Sequence, residues 1–228
     1  KIWYFALELF FKILLDVFNR FPIFNSVKKI YLYETSILLK KIQKKNIQNT
    51  QVKWVKSFKD INDGPVIFFG NEFFDALPIK QFKKENGLLF EKYYTLGKNK
   101  KIKEVFKKAS KKDITNINSY KSLRNLKFIE FPKYGLEELK KIIKKITQVK
   151  GCLLMIDYGY LKSRNQNTLQ SIMHHKKNNL LNNLGKADIT SHVNFELLNE
   201  YFLKNNLKVK KVVSQQKFLK NMGIIERA

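Results

Sequence analysis

The chain has 228 residues and an apolar fraction of 44%, enough for one substantial hydrophobic core. Its formal charge of +26 comes from 45 basic residues, and all but four of these are lysine. Nucleic-acid readers rely on arginine for bidentate and stacked contacts, so lysine scattered through every segment argues against a specific nucleic-acid-binding protein. The one cysteine, Cys152, excludes an intrachain disulfide and lies in an apolar run, which predicts a buried thiol in a reducing compartment.

The N-terminal segment 2–18 is apolar except for three charged residues. Glu8, Lys12 and Asp16 lie four apart, so on a helix they form one charged stripe. A membrane span needs about 20 apolar residues with few charges. The segment is therefore predicted to be a mostly buried amphipathic helix, with no transmembrane segment. The sequence starts at Lys1 rather than at methionine, which leaves open whether a further segment precedes Lys1.

The segments that follow alternate between strand and helix patterns, which predicts one α/β domain over residues 1–228. The predicted elements are strands at 29–34, 52–55, 65–70, 127–131 and 152–157, and helices at 35–45, 136–149 and 194–204. Asn86-Gly87 predicts a hairpin turn. Residues 98–116 are expected to be a lysine-rich solvated loop with helix possible in part, and residues 207–219 a strand pair.

Residues 71–78, Asn-Glu-Phe-Phe-Asp-Ala-Leu-Pro, follow an apolar strand that suits a sheet covered on both faces. The carboxyl ends of strands border the ligand cleft in open α/β sheets. Asn71, Glu72 and Asp75 are therefore expected at the lip of a cleft. The alternative is an ordinary Asx or N-cap turn that carries no chemistry and ends at Pro78.

Two further sequence blocks favour the ligand cleft over the ordinary turn. One is Gly151-Cys-Leu-Leu-Met-Ile-Asp-Tyr-Gly-Tyr160; the other runs from Asn167-Thr-Leu-Gln170 through His174 to 185–195. With residues 71–78, they resemble in order and spacing the S-adenosylmethionine-dependent methyltransferases of the complex I assembly factor 7 (MidA) family. The closing Gln216-Lys-Phe-Leu219 and Gly223-Ile-Ile-Glu-Arg227 fit that family's C-terminus, so the resemblance extends from Glu34 onward.

The resemblance implies an α/β fold of the class I methyltransferase type, a Rossmann-like open sheet with an inserted hairpin. Such enzymes hold the cofactor with a glycine-rich loop after the first strand, because glycine lets the backbone approach the ligand. The first glycine of this chain is Gly64, and bulky residues fill segment 1–18, where the end of that loop and its helix are expected. We therefore expect an N-terminally incomplete domain without that strand and loop.

The implied cofactor is S-adenosyl-L-methionine, and the resemblance assigns its contacts to Glu34, Asn71 and Glu72. An acidic residue that ends a strand before a helix, as Glu34 does, accepts hydrogen bonds from ribose hydroxyls in nucleotide-binding domains. A solvated strand-end glutamate is the alternative. The histidines at 174, 175 and 192 have no metal-ligand spacing, so no metal is predicted.

The implied substrate is an arginine, which acidic groups would orient by bidentate hydrogen bonds to its guanidinium. The predicted catalytic residues are Glu72, Asp75, Asp157 and Tyr158. Asp75 could instead only cap a helix, and Tyr158 could only be a packing ring. Residues expected on the substrate side are Tyr160, Asp188, Thr190 and His192. Asn194 departs from the family, which usually carries aspartate there.

The sequence thus predicts a protein arginine methyltransferase that acts on a subunit of respiratory complex I and supports its assembly. The expected location is the mitochondrial matrix or the bacterial cytoplasm. The alternative is a non-catalytic assembly or binding protein, a pseudoenzyme that keeps the family fold. The oligomeric state stays open.

Overall fold

The computed structural model describes residue 20 and residues 29–47, 52–97 and 101–227. The helix predicted at 2–18 lies outside the described residues. The chain divides into two compact units, residues 1–65 with 147–150 and residues 66–146 with 151–228. Each unit is described by itself below.

The described part of the chain contains both strands and helices, with two runs of consecutive strands. The strands are β1 (Ile30–Tyr33), β2 (Val52–Val55), β3 (Val66–Asn71), β4 (Lys80–Glu85), β5 (Leu88–Leu96), β6 (Ile102–Lys108), β7 (Phe128–Phe131), β8 (Gly151–Ile156), β9 (Gly159–Tyr160), β10 (Gln170–Met173), β11 (Lys176–Asn178), β12 (Asp188–Thr190) and β13 (Val193–Asn194). The α-helices are α1 (Ile37–Asn46), α2 (Lys111–Asn118), α3 (Lys133–Val149), α4 (Phe195–Lys204) and α5 (Gln215–Asn221). Short 3₁₀-helices lie at Phe58–Asp60, Lys121–Leu123 and Ile225–Arg227.

In the first unit, β1 and β2 pair in parallel and α1 connects them. Ser36 begins the helix, because its side chain accepts a hydrogen bond from the Leu39 backbone N–H at 3.3 Å. Ile47 and Val52 are buried, and further apolar side chains pack against them: Ile30, Leu32 and Trp54. The strand–helix–strand pattern predicted for this segment is confirmed.

In the second unit, β3 and β8 pair in parallel over their full length, from Val66 opposite Gly151 to Asn71 opposite Ile156. Their carboxyl ends therefore lie side by side. Along β3, half-buried and exposed residues alternate, and the Ile67 side chain is 77% exposed. The sequence predicted that both faces of this strand are covered, and for the described residues that prediction is wrong. Cys152 on β8 is exposed, so the prediction of a buried thiol is also wrong.

A four-stranded antiparallel sheet, in the order β6-β5-β4-β7, contains the predicted hairpin. Asn86 and Gly87 join β4 to β5 with φ angles of 48° and 77°. Both values lie in the left-handed region that a type I′ hairpin turn requires. The two small remaining sheets of this unit are the antiparallel set β11-β10-β12 and the parallel pair β13-β9.

Two segment predictions are wrong. Residues 102–108 form strand β6, where solvated loop was expected, whereas helix α2 lies in the segment for which helix was allowed in part. Lysines suit an edge strand as well as a loop, because charged side chains on an edge discourage pairing with other chains. Residues 207–214 pair with no described strand, and α5 follows them with Ser214 as its N-cap.

The predicted apolar face of α3 is confirmed, and it belongs to the core of the second unit. The buried residues on that face are Leu136, Leu139, Ile142, Ile143 and Ile146. Burying each such side chain contributes about 1.5–3 kcal/mol, so this helix anchors the unit. In the described part of the chain, no helix has the length and apolar character to cross a bilayer, and no cluster of three potential metal ligands is found.

A buried carboxylate links the inserted sheet to the helices. Asp113 on α2 is 1% exposed and accepts hydrogen bonds from Lys80 at 3.0 Å, Lys133 at 2.9 Å and the Ser110 hydroxyl at 2.9 Å. Burial would raise the pKa of Asp113, but the hydrogen bonds from Lys133, Lys80 and Ser110 outweigh it and lower that pKa to about 2. Lys80 also pairs with Glu91 on β5 at 2.9 Å.

We expect Asp113→Ala to lower the free energy of unfolding by about 3–5 kcal/mol, because it leaves two partly buried lysines without their shared carboxylate. Because the folded pKa is depressed, this stability is present above pH 3.8 and is lost as the pH falls towards about 2. Urea unfolding at neutral pH measures the loss.

The matched control is Glu85→Ala. Glu85 pairs with Lys83, and both side chains are about half exposed, so its removal should cost less than about 1 kcal/mol. Equal losses for the two variants would show that the Asp113 cluster has no special weight in stability.

Candidate functional site

The carboxyl ends of β3 and β8 bring the predicted acidic residues together. The Glu72 backbone N–H donates to the Ile156 carbonyl at 2.8 Å, which extends the parallel pairing one step past β3. Glu72 therefore follows the end of β3 beside the end of β8, which Asp157 follows. This is the edge at which open α/β sheets bind ligands.

Asp157 fixes the turn that follows β3. One carboxylate oxygen accepts the backbone N–H groups of Phe74 at 3.0 Å and Asp75 at 3.2 Å, and the other accepts that of Tyr158 at 2.9 Å. Residues 74–77 form a turn and no helix begins at Asp75. The alternative of Asp75 as a helix N-cap is therefore wrong, and Asp157 acts on the backbone of its neighbours.

Asp75 is 2% exposed and forms hydrogen bonds with both Tyr158 and Ser191. Its carboxylate accepts a short hydrogen bond from the Tyr158 hydroxyl, and its carbonyl accepts the Ser191 backbone N–H at 3.0 Å. The Tyr158 ring meets the His192 ring edge-on, with centroids 5.4 Å apart. Tyr158 is thus more than a packing ring, because its hydroxyl bonds to Asp75.

The three carboxyl groups share a partly dehydrated environment. Burial raises the pKa of Asp157 to about 6, and the charge of Asp75 raises it further in the same direction. Burial, and then the charge of Asp75, raises the pKa of Glu72. Burial also raises the pKa of Asp75, although the Tyr158 hydroxyl opposes this. Carboxyl groups whose pKa values are raised in this way are stabilised in their charged form when a cation binds beside them.

Glu72 differs from its two neighbours in the hydrogen bonding of its carboxylate. It is half-buried, and none of the described residues donates a hydrogen bond to its carboxylate. Its φ angle is 46°, in the left-handed region that side chains other than glycine rarely adopt. Non-glycine residues held in such conformations cluster at functional sites. Among the described residues, Glu72 is therefore the candidate for a direct contact with a ligand.

Another buried carboxylate, that of Glu130, holds Thr168, which in turn bonds to the backbone of His192. It accepts hydrogen bonds from the backbone of Thr168 at 3.0 Å, the backbone of Leu169 at 3.2 Å and the Gln81 side chain at 2.9 Å. The Thr168 hydroxyl also donates to it and accepts the His192 backbone N–H at 2.9 Å. The sequence analysis did not select Glu130; an acidic residue between apolar ones in a predicted strand was the available signal.

The residues predicted on the substrate side divide into two groups. His192 and the buried Thr190 belong to the segment that contacts Tyr158 and Asp75. Asp188 is exposed and Tyr160 stacks under Arg164, whose guanidinium lies 4.8 Å from its ring centroid. No described hydrogen bond or ring contact joins these two residues to the acidic cluster.

Asn194, where the family usually carries aspartate, is the N-cap of α4. Its side-chain oxygen accepts the Leu197 backbone N–H at 3.1 Å, and its amide bonds to Ser163. Asparagine caps a helix as well as aspartate does. The departure from the family pattern therefore leaves the local structure intact.

Glu34 lies in the first unit, directly after β1. Its carboxylate accepts the Ser36 backbone N–H at 2.7 Å on one oxygen and the Gln43 side-chain amide at 3.2 Å on the other. Gln43 in turn accepts the Trp54 ring N–H at 2.9 Å. Each carboxylate oxygen keeps a second lone pair, so the fixed group can still accept hydrogen bonds from hydroxyls of a ligand.

Comparison with known proteins decides the family. The family model for S-adenosyl-L-methionine-dependent methyltransferases matches residues 9–213. The chain belongs to this family. A relative, the mitochondrial protein arginine methyltransferase NDUFAF7 homolog of Caenorhabditis elegans, is 32% identical over 211 residues, covering 87% of this chain and 47% of that protein.

A human relative of this methyltransferase-family chain, the mitochondrial protein arginine methyltransferase NDUFAF7, is 25% identical over 175 residues. The match covers 76% of this chain and 38% of the human protein. The chain therefore spans less than half the length of these two relatives. The resemblance inferred from the motifs is confirmed.

Solved structures confirm the fold of the methyltransferase-family chain. A crystal structure from Burkholderia thailandensis with bound S-adenosyl-homocysteine has a TM-score of 0.71 at 18% identity, over 87% of this chain and 54% of that chain. A native crystal structure of a superfamily protein from the same organism gives the same TM-score. The predicted α/β class I methyltransferase fold, with open sheets, is therefore confirmed.

The carboxyl group of Asp157 should titrate with a midpoint near pH 6, and Asp75→Asn should move that midpoint down, because the variant removes the neighbouring charge. Carbon-detected NMR of aspartate side chains measures both midpoints. Because the folded pKa lies above the usual 3.8, the contribution of Asp157 favours folding at low pH and is lost as the pH rises through about 6.

Asp188→Asn is the control for this titration, since Asp188 is exposed and outside the acidic cluster. An Asp157 midpoint that stays the same in Asp75→Asn would contradict the proposed electrostatic coupling of the two aspartates.

Proposed function

We propose that the protein is an S-adenosyl-L-methionine-dependent methyltransferase that modifies arginine on a protein substrate. The observation that carries the proposal is the group of three carboxyl residues, Glu72, Asp75 and Asp157, beside the carboxyl ends of β3 and β8. A guanidinium is the side chain that such a group would attract and orient most strongly. The names of the Caenorhabditis elegans and human relatives support the same substrate class.

In each unit, residues at a strand end offer hydrogen-bonding groups of the kind that the cofactor would need. When bound, S-adenosyl-L-methionine supplies a methyl group on a positively charged sulfonium. Glu34, held by two donors, would accept hydrogen bonds from ribose hydroxyls. Asn71, exposed at the end of β3, would offer both a donor and an acceptor, and Glu72 follows it directly.

The acidic residues would divide the work on the substrate. Glu72 has no described partner and would pair with the guanidinium directly. Asp75 would add its charge while its hydrogen bond from Tyr158 fixes its position. Asp157 is a positioning residue, because it holds the backbone of the turn. This arrangement supplies orientation, which is the main requirement of methyl transfer in line with a leaving sulfonium.

Proton release completes the chemistry that the site must handle. The arginine nitrogen that gains a methyl group loses one proton, so that its charge is unchanged. Burial raises the pKa of Glu72, and this carboxylate would take up the proton before water removes it. General acid–base work of this kind is most efficient when the pKa of the group is near the operating pH.

The finer parts of the proposal concern the partner and the compartment. We propose a subunit of respiratory complex I as the substrate, with complex I assembly as the outcome, on the strength of the sequence motifs described above. The names of the Caenorhabditis elegans and human relatives include the word mitochondrial, which supports the mitochondrial matrix; the bacterial cytoplasm is the corresponding location for a bacterial protein.

In the full-length protein, Glu72→Gln should reduce methyl transfer by about 10²–10³-fold, because the amide keeps the shape but loses the charge that orients the guanidinium. Incorporation of labelled methyl groups into purified complex I measures the rate. Glu85→Gln, on the exposed hairpin, is the control and should retain full activity. Unchanged turnover in Glu72→Gln with an intact fold would exclude Glu72 from the reaction.

Cofactor binding can be measured separately from transfer. Calorimetric titration of the chain with S-adenosyl-L-methionine, with S-adenosyl-homocysteine in parallel, should give saturable binding. Glu34→Gln should weaken this binding by about tenfold or more, the usual cost of a lost hydrogen bond to a charged group. Asp188→Asn should leave it unchanged. No heat from a demonstrably folded chain would favour a non-catalytic binding protein with the family fold.

A further inference from the structure

A cavity of about 140 Å³ lies between the β4–β5 hairpin and helix α2 in the second unit. Three of its lining residues, Ile117, Leu123 and Ile129, are no more than 2% exposed, so core residues form its floor. In all, six aliphatic residues line it: Leu88, Leu89, Ile114, Ile117, Leu123 and Ile129. We call this cavity the hairpin cavity.

The pairing of the hairpin places a basic residue beside these aliphatic ones. Lys84 stands directly opposite Leu89, and directly opposite residues of an antiparallel pair point from the same face. Lys80 is on that face too, and it bonds to Asp113 on α2 at 3.0 Å. Helix α2 therefore covers the face from which Lys84 points. The Lys84 ammonium donates to the Arg124 carbonyl at 3.2 Å, which holds it beside the cavity.

Among the described residues, basic side chains border the hairpin cavity and acidic ones do not. Lys84, Lys108 and Arg124 line it, and none of the three pairs with a described carboxylate. Lys108 stands opposite Phe90, on the other face of the sheet. Only the Lys84 ammonium and the Arg124 guanidinium are therefore counted as charges at the cavity. Two positive charges without acidic partners attract an anion.

The end of helix α2 does not cancel this positive charge. A helix C-terminus carries a partial negative charge on its last carbonyl groups. Here the backbone N–H groups of Ser119 and Tyr120 donate to those carbonyls at 3.1–3.2 Å. The carbonyls are thus occupied by the turn that follows the helix, and the full charges of Lys84 and Arg124 set the sign of the potential at the cavity.

The size and the lining of the hairpin cavity together indicate the class of ligand. An apolar cavity of about 150 Å³ is large enough to bind benzene, so this one accommodates a body of about six carbon atoms. The two cations favour an anionic group on that body, and a planar carboxylate matches the guanidinium of Arg124 bidentately. Inorganic phosphate has no apolar part to cover the aliphatic floor, and a neutral hydrocarbon leaves both cations unpaired.

We propose that the hairpin cavity binds a small carboxylate with a compact apolar body, such as an aromatic or a branched aliphatic acid. The apolar body would contact Leu89, Ile117 and Ile129, and the carboxylate would accept hydrogen bonds from Lys84 and Arg124. No residue of the acidic cluster lines the cavity, so this site does not depend on the proposed methyl transfer. A ligand there would stabilise the folded chain by mass action.

Benzoate is the probe, and the isoleucine methyl signals in the NMR spectrum of the methyl-labelled chain are the readout. Benzoate should shift the signals of the three lining isoleucines, at 114, 117 and 129, in a saturable manner, and leave that of Ile172 on β10 unchanged. Lys84→Gln and Arg124→Gln should each weaken benzoate binding by about tenfold or more, the usual effect of losing a hydrogen bond to a charged group.

Lys83→Gln is the matched control and should leave benzoate affinity unchanged. Lys83 adjoins Lys84 on the same strand, but it points from the opposite face and pairs with Glu85. A second variant, Ile114→Phe, tests the cavity itself. The larger ring would fill the space, so benzoate binding should be lost while circular dichroism shows a folded chain.

Five outcomes would overturn the proposal. They are the absence of a saturable shift at the lining isoleucines; equal affinity for benzamide or benzamidine, which resemble benzoate in shape but lack its negative charge; equal affinity for inorganic phosphate, which would mean an adventitious ion only; equal loss of affinity in Lys83→Gln and Lys84→Gln; and unchanged benzoate affinity in folded Ile114→Phe.

Discussion

The site depends on one interaction, the acceptance of three backbone N–H groups by the Asp157 carboxylate. Parallel pairing aligns β3 with β8, but it ends within one residue of the strand ends. Beyond that point, Asp157 holds the turn of residues 74–77 beside the end of β8, together with the hydrogen bond from the Tyr158 hydroxyl to Asp75. The position of the Asp75 side chain follows from this, since Asp75 belongs to the turn, while Glu72 is held by its backbone hydrogen bond to Ile156 just before the turn. A buried carboxylate with a raised pKa is thus the structural link between sheet and site.

The sequence was sufficient for the features that depend on local chemistry. Asn86-Gly87 specified its turn because those residues tolerate positive φ. The apolar spacing on α3 specified the buried face, and polar residues after two apolar strands specified the acidic edge. The clustering of Asp75, Asp157 and Tyr158 was predictable for the same reason: neighbouring parallel strands end together.

The sequence was insufficient where distant residues decide the structure. Glu130 is buried because Thr168, 38 positions later, bonds to it, and spacing does not reveal such a partner. Strand β6 exists because β5 pairs with it, while its own composition of alternating lysines reads as solvent-exposed chain. The 207–214 segment shows the converse, since a strand-like pattern has no described partner strand. Exposure of Cys152 likewise depends on which face of β8 is covered.

The φ angle of 46° at Glu72 has a consequence for how this protein can change over time. Glycine would adopt this conformation without strain, and a non-glycine residue there costs about 1–3 kcal/mol. Replacement by glycine would thus relieve the strain at this position, and it would remove a carboxylate that accepts no hydrogen bond from the described residues. Selection for thermal robustness and selection for chemistry oppose each other at this position. In a library of variants selected only for folding, glycine should become enriched at position 72. Retention of glutamate at that position would indicate that its carboxylate is still required for function.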